Sequence, residues 1–229
     1  MAKISAGSYD LNRWLHGGYE NDIITVIYGG SGTGKTNFSI IVAVSQAKKG
    51  NKVLFIDSEG GFSVERVKQL APENYQEVLK NIFLLKPINF EEQRDIFKRI
   101  NNYLKDEVSL IILDGATILY RSDFSLAREK SREEMFKISG ELAGQMQTLA
   151  EISRKKNIPV IVTNQVYTWE DSKKMVGGDI LHYWGKCLIE LENNKGMRTA
   201  HLRKHRSLPE KSLDFQIFDS GIKKRGWFK

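Results

Sequence analysis

Ile23-Ile24-Thr25-Val26-Ile27-Tyr28-Gly29-Gly30-Ser31-Gly32-Thr33-Gly34-Lys35-Thr36 decides the fold. The first six residues form a short, apolar, β-branched run of the kind buried in a parallel sheet. The next eight fit the phosphate-binding pattern G-x-x-x-x-G-K-[ST] at every fixed position. Gly29, Gly30, Gly32 and Gly34 let the backbone curl so that N–H groups, those of Ser31 and Thr33 included, point at phosphate oxygens. Lys35 brings a positive charge to the terminal phosphates, and Thr36 a hydroxyl for Mg²⁺. Phe38, Ile41, Val42 and Ala43 then give a helix its apolar positions, running through Lys48 and Lys49 into Gly50, a suitable C-terminal cap. The positive end of that helix faces the triphosphate.

Outward from this unit, strands and helices alternate. Lys52–Asp57 and Asn81–Leu85 read as strands. Asn89 caps a helix with Glu92 at the capping-box position, and Phe90, Phe97, Ile100 and Leu104 line its inner face. Val108–Leu113 is an apolar run ending in Asp114. A long helix is predicted over about 130–156, with Met135, Ile138, Leu142, Met146 and Leu149 at helical spacing. Gly140 and Gly144 share one of its faces and read as sites of close packing. Pro159–Thr163 is a further strand. This order predicts an α/β fold, a mainly parallel twisted sheet flanked by helices. The ending differs: Gly185–Glu192, a turn at Asn193–Gly196, and Met197–Lys204 read as an antiparallel hairpin, with a strand over Leu213–Phe218. One domain spanning 1–229 is the simplest organisation.

No stretch of the 229 residues approaches the ~20 apolar residues of a membrane span, and the first residues lack the apolar centre of a signal peptide. Cys187 is the only cysteine, so no disulfide forms within the chain, and a cytoplasmic location is expected. The net charge of +7 favours an anionic partner, most simply nucleic acid, although solubility alone also accounts for such an excess. His16, His182, His201 and His205 lack metal-ligand spacing, so no metal beyond the nucleotide's Mg²⁺ is expected.

Three polar residues end strands. Asp114 beside the phosphate loop can hold Mg²⁺ through a water; turn formation is the alternative. Glu59 follows Phe55-Ile56-Asp57 and could orient the water that attacks a γ-phosphate, or be a solvated loop acid. Gln165, after Val160–Asn164, could sense the γ-phosphate without competing for Mg²⁺, or be an ordinary loop glutamine.

Together these segments resemble the RecA/Rad51/RadA recombinase superfamily from about Leu11 to Ile222. The similar stretches are Leu11–Gly18, Phe55–Gly60, Glu65-Arg66, Leu113–Thr117 with Tyr120–Asp123, Thr163–Val166 and Val176–Ile180. The resemblance implies a RecA-like ATPase core with ATP and Mg²⁺. It makes Glu59 the catalytic carboxylate, Gln165 the coupler of γ-phosphate to DNA, and Arg66 a stacking partner of adenine. It places the first DNA loop near Tyr120–Asp123 and the second over Tyr167–Met175. That second loop is shorter than in strand-exchange enzymes, and neither an N-terminal helical domain nor a polymerisation segment precedes the core. Among the subfamilies, the short archaeal RadA paralogues called RadB match best. The implied function is an ATP- and DNA-binding accessory of repair and recombination. It would have weak ATPase activity, would work beside recombinase or junction-processing proteins, and would be a monomer or small oligomer. A DNA-stimulated motor and a KaiC-like protein-binding ATPase are the alternatives.

DNA-contact candidates follow from basic residues near aromatic ones. They are Arg121, Arg128, Lys130 and Arg132; Tyr167 and Trp169; and Lys223, Lys224, Arg225 and Lys229 in a tail that also carries Trp227 and Phe228. A solvated tail, a helix start and aromatics packed on the core are the alternatives. Lys204 and Arg206 resemble the intersubunit finger of KaiC-like ATPases; DNA contact and a charge-protected edge strand are the other readings.

Overall fold

The computed structural model describes residues 2–104, 107–169 and 172–226. The chain opens with β1 (Lys3–Ile4), α1 (Tyr9–Trp14) and β2 (Tyr19–Glu20), and continues with β3 (Ile24–Gly29), α2 (Lys35–Ala47), β4 (Lys52–Asp57), α3 (Val64–Leu70), α4 (Tyr75–Lys80) and β5 (Ile82–Leu85). Next come α5 (Phe90–Lys98), α6 (Ile100–Tyr103), β6 (Val108–Asp114), α7 (Ile118–Lys130) and α8 (Arg132–Lys156). They lead into β7 (Val160–Trp169), β8 (Ser172–Met175) and α9 (Gly178–Trp184), then β9 (Gly185–Asn194), β10 (Met197–Lys204), β11 (Lys211–Phe218) and β12 (Gly221–Lys224). The large sheet runs β12-β11-β10-β9-β3-β7-β6-β4-β5, with β8 folded back on β7. From β9 to β5 the pairs are parallel, and from β9 to β12 antiparallel.

The parallel strands are apolar on both faces because helices cover both. Alternate residues of one strand therefore enter different cores. Val53, Phe55, Leu110 and Ile112 pack with Phe38 and Ile41 of α2 and Val67 of α3. Leu54, Ile56, Ile111 and Leu113 pack with Ile96 and Phe97 of α5 and Met146 and Leu149 of α8. The register carries the strand ends to one rim: Gly29 stands beside Gln165 and Leu191, and Asp57 beside Asp114.

Local predictions hold in detail at several points. Asn89 accepts the N–H of Glu92 at 2.8 Å, while the Glu92 carboxylate reaches back to the N–H of Ile88, one residue beyond the predicted cap. The β9–β10 turn needs two residues in the left-handed region, Lys195 (φ 52°) and Gly196 (φ 88°), the geometry that suits the strands' twist.

Three expectations are corrected. The segment around Tyr120–Asp123, read as a DNA loop, is the helix α7, because Tyr120 and Ala127 bury one face against Phe90, Ile138 and Leu142. Gly140 and Gly144 pack against nothing among the described residues: a Cβ at either would meet open space there. Lys223 and Lys224 belong to no loose tail but to β12, an edge strand held through the buried Ile222. Trp227, Phe228 and Lys229 lie outside the described residues.

Candidate nucleotide site

The site is built where β3 gives way to α2. Gly29 lies so close to β9 that an added Cβ would strike the carbonyl oxygen of Leu191. Gly34 caps α2 with φ 109°, a left-handed conformation open to glycine. Between them Thr33 Oγ1 donates to the Gly30 carbonyl at 2.9 Å and fixes the turn. Lys35 is buried, and its ammonium donates to the carbonyls of Gly29 (3.1 Å) and Gly30 (2.9 Å). Burial lowers its pKa, and Glu59 and Asp114 oppose that shift.

Asp114 sits beneath this loop with no exposed surface. It accepts from Thr36 Oγ1 at 2.8 Å, Thr163 Oγ1 at 2.7 Å and Ser39 Oγ at 3.3 Å. Burial pushes its carboxyl up to about 6; the hydroxyls of Thr163 and Thr36 pull the other way, and Asp57 and Glu59 add to the rise. A hydroxyl and a carboxylate converging on one point are hard oxygen donors, which suits Mg²⁺ held directly by Thr36 and through water by Asp114.

Glu59 and Gln165, 106 residues apart in sequence, meet at 2.6 Å, with Gln165 Nε2 donating to Glu59 Oε1. The loop carrying Glu59 is fixed because Asp57 accepts the N–H groups of Gly61 (2.9 Å) and Phe62 (3.0 Å). Glu59 Oε2 is buried with no hydrogen-bond partner among the described residues. Glu59 lines a cavity together with Gly34, Lys35, Thr36, Arg198 and Ile217, where an attacking water could be oriented. Pure sequence reading missed Arg198, although its place at the end of an alternating inward face (198, 200, 202) was visible.

A family model described as Rad51 matches residues 1–225. The chain belongs to the Rad51 family. Within it, the "DNA repair and recombination protein RadB" of Methanobrevibacter smithii is 40% identical over 223 residues, covering 93% of this chain and 92% of that protein. The protein of the same name from Methanocaldococcus jannaschii is 38% identical over 212 residues, with 93% and 98% covered. A solved structure titled "Crystal structure of the RadB recombinase" superposes with a TM-score of 0.81 at 32% identity, covering 97% and 99% of the two chains. The RecA-like α/β fold expected from the sequence is thereby shown.

The other candidate residues, Arg66 and the basic and aromatic ones, are scattered. Arg66 bonds Gln69 (2.8 Å) and the Asp219 carbonyl (3.3 Å), outside the cavity lined by Lys35. Arg121, Arg128, Lys130 and Arg132 are exposed on α7 and the start of α8, where Arg132 lies over the ring of Phe136. Tyr167 is 38% exposed on the β7–β8 hairpin, the form taken by the second-loop segment; the side chain of Trp169 lies outside the description. Arg225, partly buried, follows β12, and its N–H bonds the Asp214 carbonyl at 2.8 Å.

Lys204 and Arg206 lie at the opposite end of the sheet from the phosphate loop, because β10 runs antiparallel to β9. Lys204 holds the carbonyls of His182 (3.0 Å) and Gly185 (2.9 Å). Arg206 pairs with the buried Glu20 (2.6 Å) and with Asp22 (2.8 Å). A finger role would require these bonds within the chain to break. Among the described residues no helix is long and apolar enough to cross a membrane.

Proposed function

We propose that the chain binds ATP with Mg²⁺ at Gly29–Thr36 and uses it mainly as a switch on a DNA-contacting surface, in the service of DNA repair and recombination. Mg²⁺ would be held by Thr36 and Asp114 and would neutralise charge on the phosphates. Lys35 would exchange the carbonyls of Gly29 and Gly30 for phosphate oxygens, which is favourable because carbonyls are weaker partners for an ammonium than phosphate. Glu59 Oε2 would accept from the attacking water and Gln165 would read the γ-phosphate.

The observation that carries this reading is the Gln165–Glu59 bond of 2.6 Å. Gln165 stands at the root of the β7–β8 hairpin, and its carbonyl accepts the N–H of Val176 beyond that hairpin. Its neighbour Asn164 donates to the Val176 carbonyl (2.9 Å) and accepts from the hydroxyl of Thr117, the residue that precedes α7. Displacement of Gln165 by a γ-phosphate would thus reach both the hairpin and α7, where basic candidates sit. Hydrolysis would be slow, in keeping with a nucleotide that acts as a switch. Recombinase or junction-processing proteins are suitable partners, a monomer or small oligomer the suitable form, and the cytoplasm the suitable location.

ATP turnover with and without single-stranded DNA tests the proposal, with Lys35→Ala as control. A low rate that DNA raises little, and loss of ATP binding in Lys35→Ala, are expected. Strong stimulation by DNA would replace the switch with a motor.

A further inference from the structure

β10 places a charge where its pattern calls for an apolar residue. Ala200 and Leu202 are buried with Leu213 and Phe215 of β11 in the core over α2, and the two-residue period puts Arg198 on the same face. Its cross-strand partner is Phe215, whose ring meets Phe38 of α2 edge-on at 5.3 Å. Ile217, next along that face, lies close to Gly34, at 3.0 Å from where a Cβ would stand. The side chain of Arg198 therefore emerges at the N-terminal end of α2 and lines the cavity shared by Lys35, Thr36 and Glu59.

Its hydrogen bonding is incomplete. Nε of Arg203 holds Glu190 at 2.8 Å, and Nε of Arg206 holds Glu20 at 2.6 Å. Nε of Arg198 is buried with no hydrogen-bond partner among the described residues. A buried donor left unpaired is costly, and guanidinium is matched in geometry and charge to phosphate.

We propose that Arg198 is a nucleotide ligand supplied by the same chain, donating to the polyphosphate across the cavity from Lys35. This rests on the ATP-binding reading above. It gives the site a second cation from β10, so nucleotide affinity is tied to the seating of the C-terminal antiparallel strands.

The test is titration of the full chain, with Mg²⁺, against an N-methylanthraniloyl-labelled ATP, for the unaltered protein, Arg198→Ala, Arg198→Lys and Lys35→Ala. Thermal melting without nucleotide is followed in parallel. Arg198→Ala should weaken binding about tenfold or more, the scale of one lost charge-assisted hydrogen bond. Arg198→Lys should recover part of it, and melting without nucleotide should stay unchanged. Unaltered affinity in Arg198→Ala, with binding lost in Lys35→Ala, would overturn the role of Arg198 and leave the phosphate loop intact. Failure of the unaltered protein to bind would overturn both. Should Arg198→Ala not fold, Arg198→Gln, which keeps a polar chain in place, is judged by the same criterion.

Discussion

Glu59, Asp114 and Gln165 each come at the end of an apolar run, and the sequence marked them for that reason, although Gln165 lies within β7 (Val160–Trp169). Spacing alone left Glu59 and Gln165 undecided between chemistry and loop, because nothing local says that residues 106 apart will touch; the bond at 2.6 Å does. Cys187 shows the opposite case, a residue whose setting only the fold supplies. It is 2% exposed, and burial pushes its thiol up to about 12. At pH 8 the native protein should resist iodoacetamide, and denaturant should make the thiol react at the rate of a free cysteine. The sign of its pH effect follows from the same shift. The unfolded thiol ionises near 9.0, below the folded one, so the unfolded chain loses its proton first and stability falls as pH rises from about 9 toward 12. Urea midpoints at pH 8 and 10 should show a steeper fall for the unaltered protein than for Cys187→Ala.

Element boundaries were legible wherever a period or a cap marked them. The strand Lys52–Asp57 is found as predicted, and Asn89 caps its helix. The miss at α7 has a physical cause. Tyr120, Phe124 and Ala127 stand at helical spacing, but that face is covered by Phe90 and by Ile138 and Leu142 of α8, partners outside the segment itself. Gly29 makes an element-scale prediction. It needs no unusual φ; it is glycine because β9 passes too close for a Cβ. Gly29→Ala should force β3 and β9 apart. Such overpacking costs about 1–3 kcal/mol, which urea unfolding would register alongside weakened nucleotide binding. Gly32→Ala is the contrasting case, since φ 71° strains the new residue while its Cβ would meet open space.

Across the molecule, the basic candidates fall into two groups. β12 lies five strand steps from β7 in the sheet order, about 24 Å at the usual interstrand spacing. Among the described residues, only the α7 and hairpin group is linked by hydrogen bonds to Gln165 and its neighbour Asn164. Arg121→Glu with Arg128→Glu should therefore weaken single-stranded DNA binding, flatten its salt dependence by about one unit of slope per lost phosphate contact, and do so more strongly with ATP present. Lys223→Glu with Lys224→Glu should lower affinity equally with and without ATP. Fluorescence anisotropy over a salt series separates the two. Charge reversal is the suitable perturbation at β12, because deletion would also remove the buried Ile222, whose carbonyl Ser8 Oγ holds at 2.5 Å.

The phosphate loop, the alternation of strands and helices, and the polar residues that close the apolar runs were legible in the chain alone. Those signals are local: glycine geometry, hydrophobic period and caps act within a few residues. Tertiary structure alone decided which of the marked residues meet. Sheet register brings Gly29, Asp57, Asp114 and Gln165 to one rim, the antiparallel course of β10 carries Lys204 away from it, and the pleat of that same strand turns Arg198 toward the nucleotide cavity. Register and strand order depend on contacts between segments far apart in the chain, and no short stretch of residues encodes them.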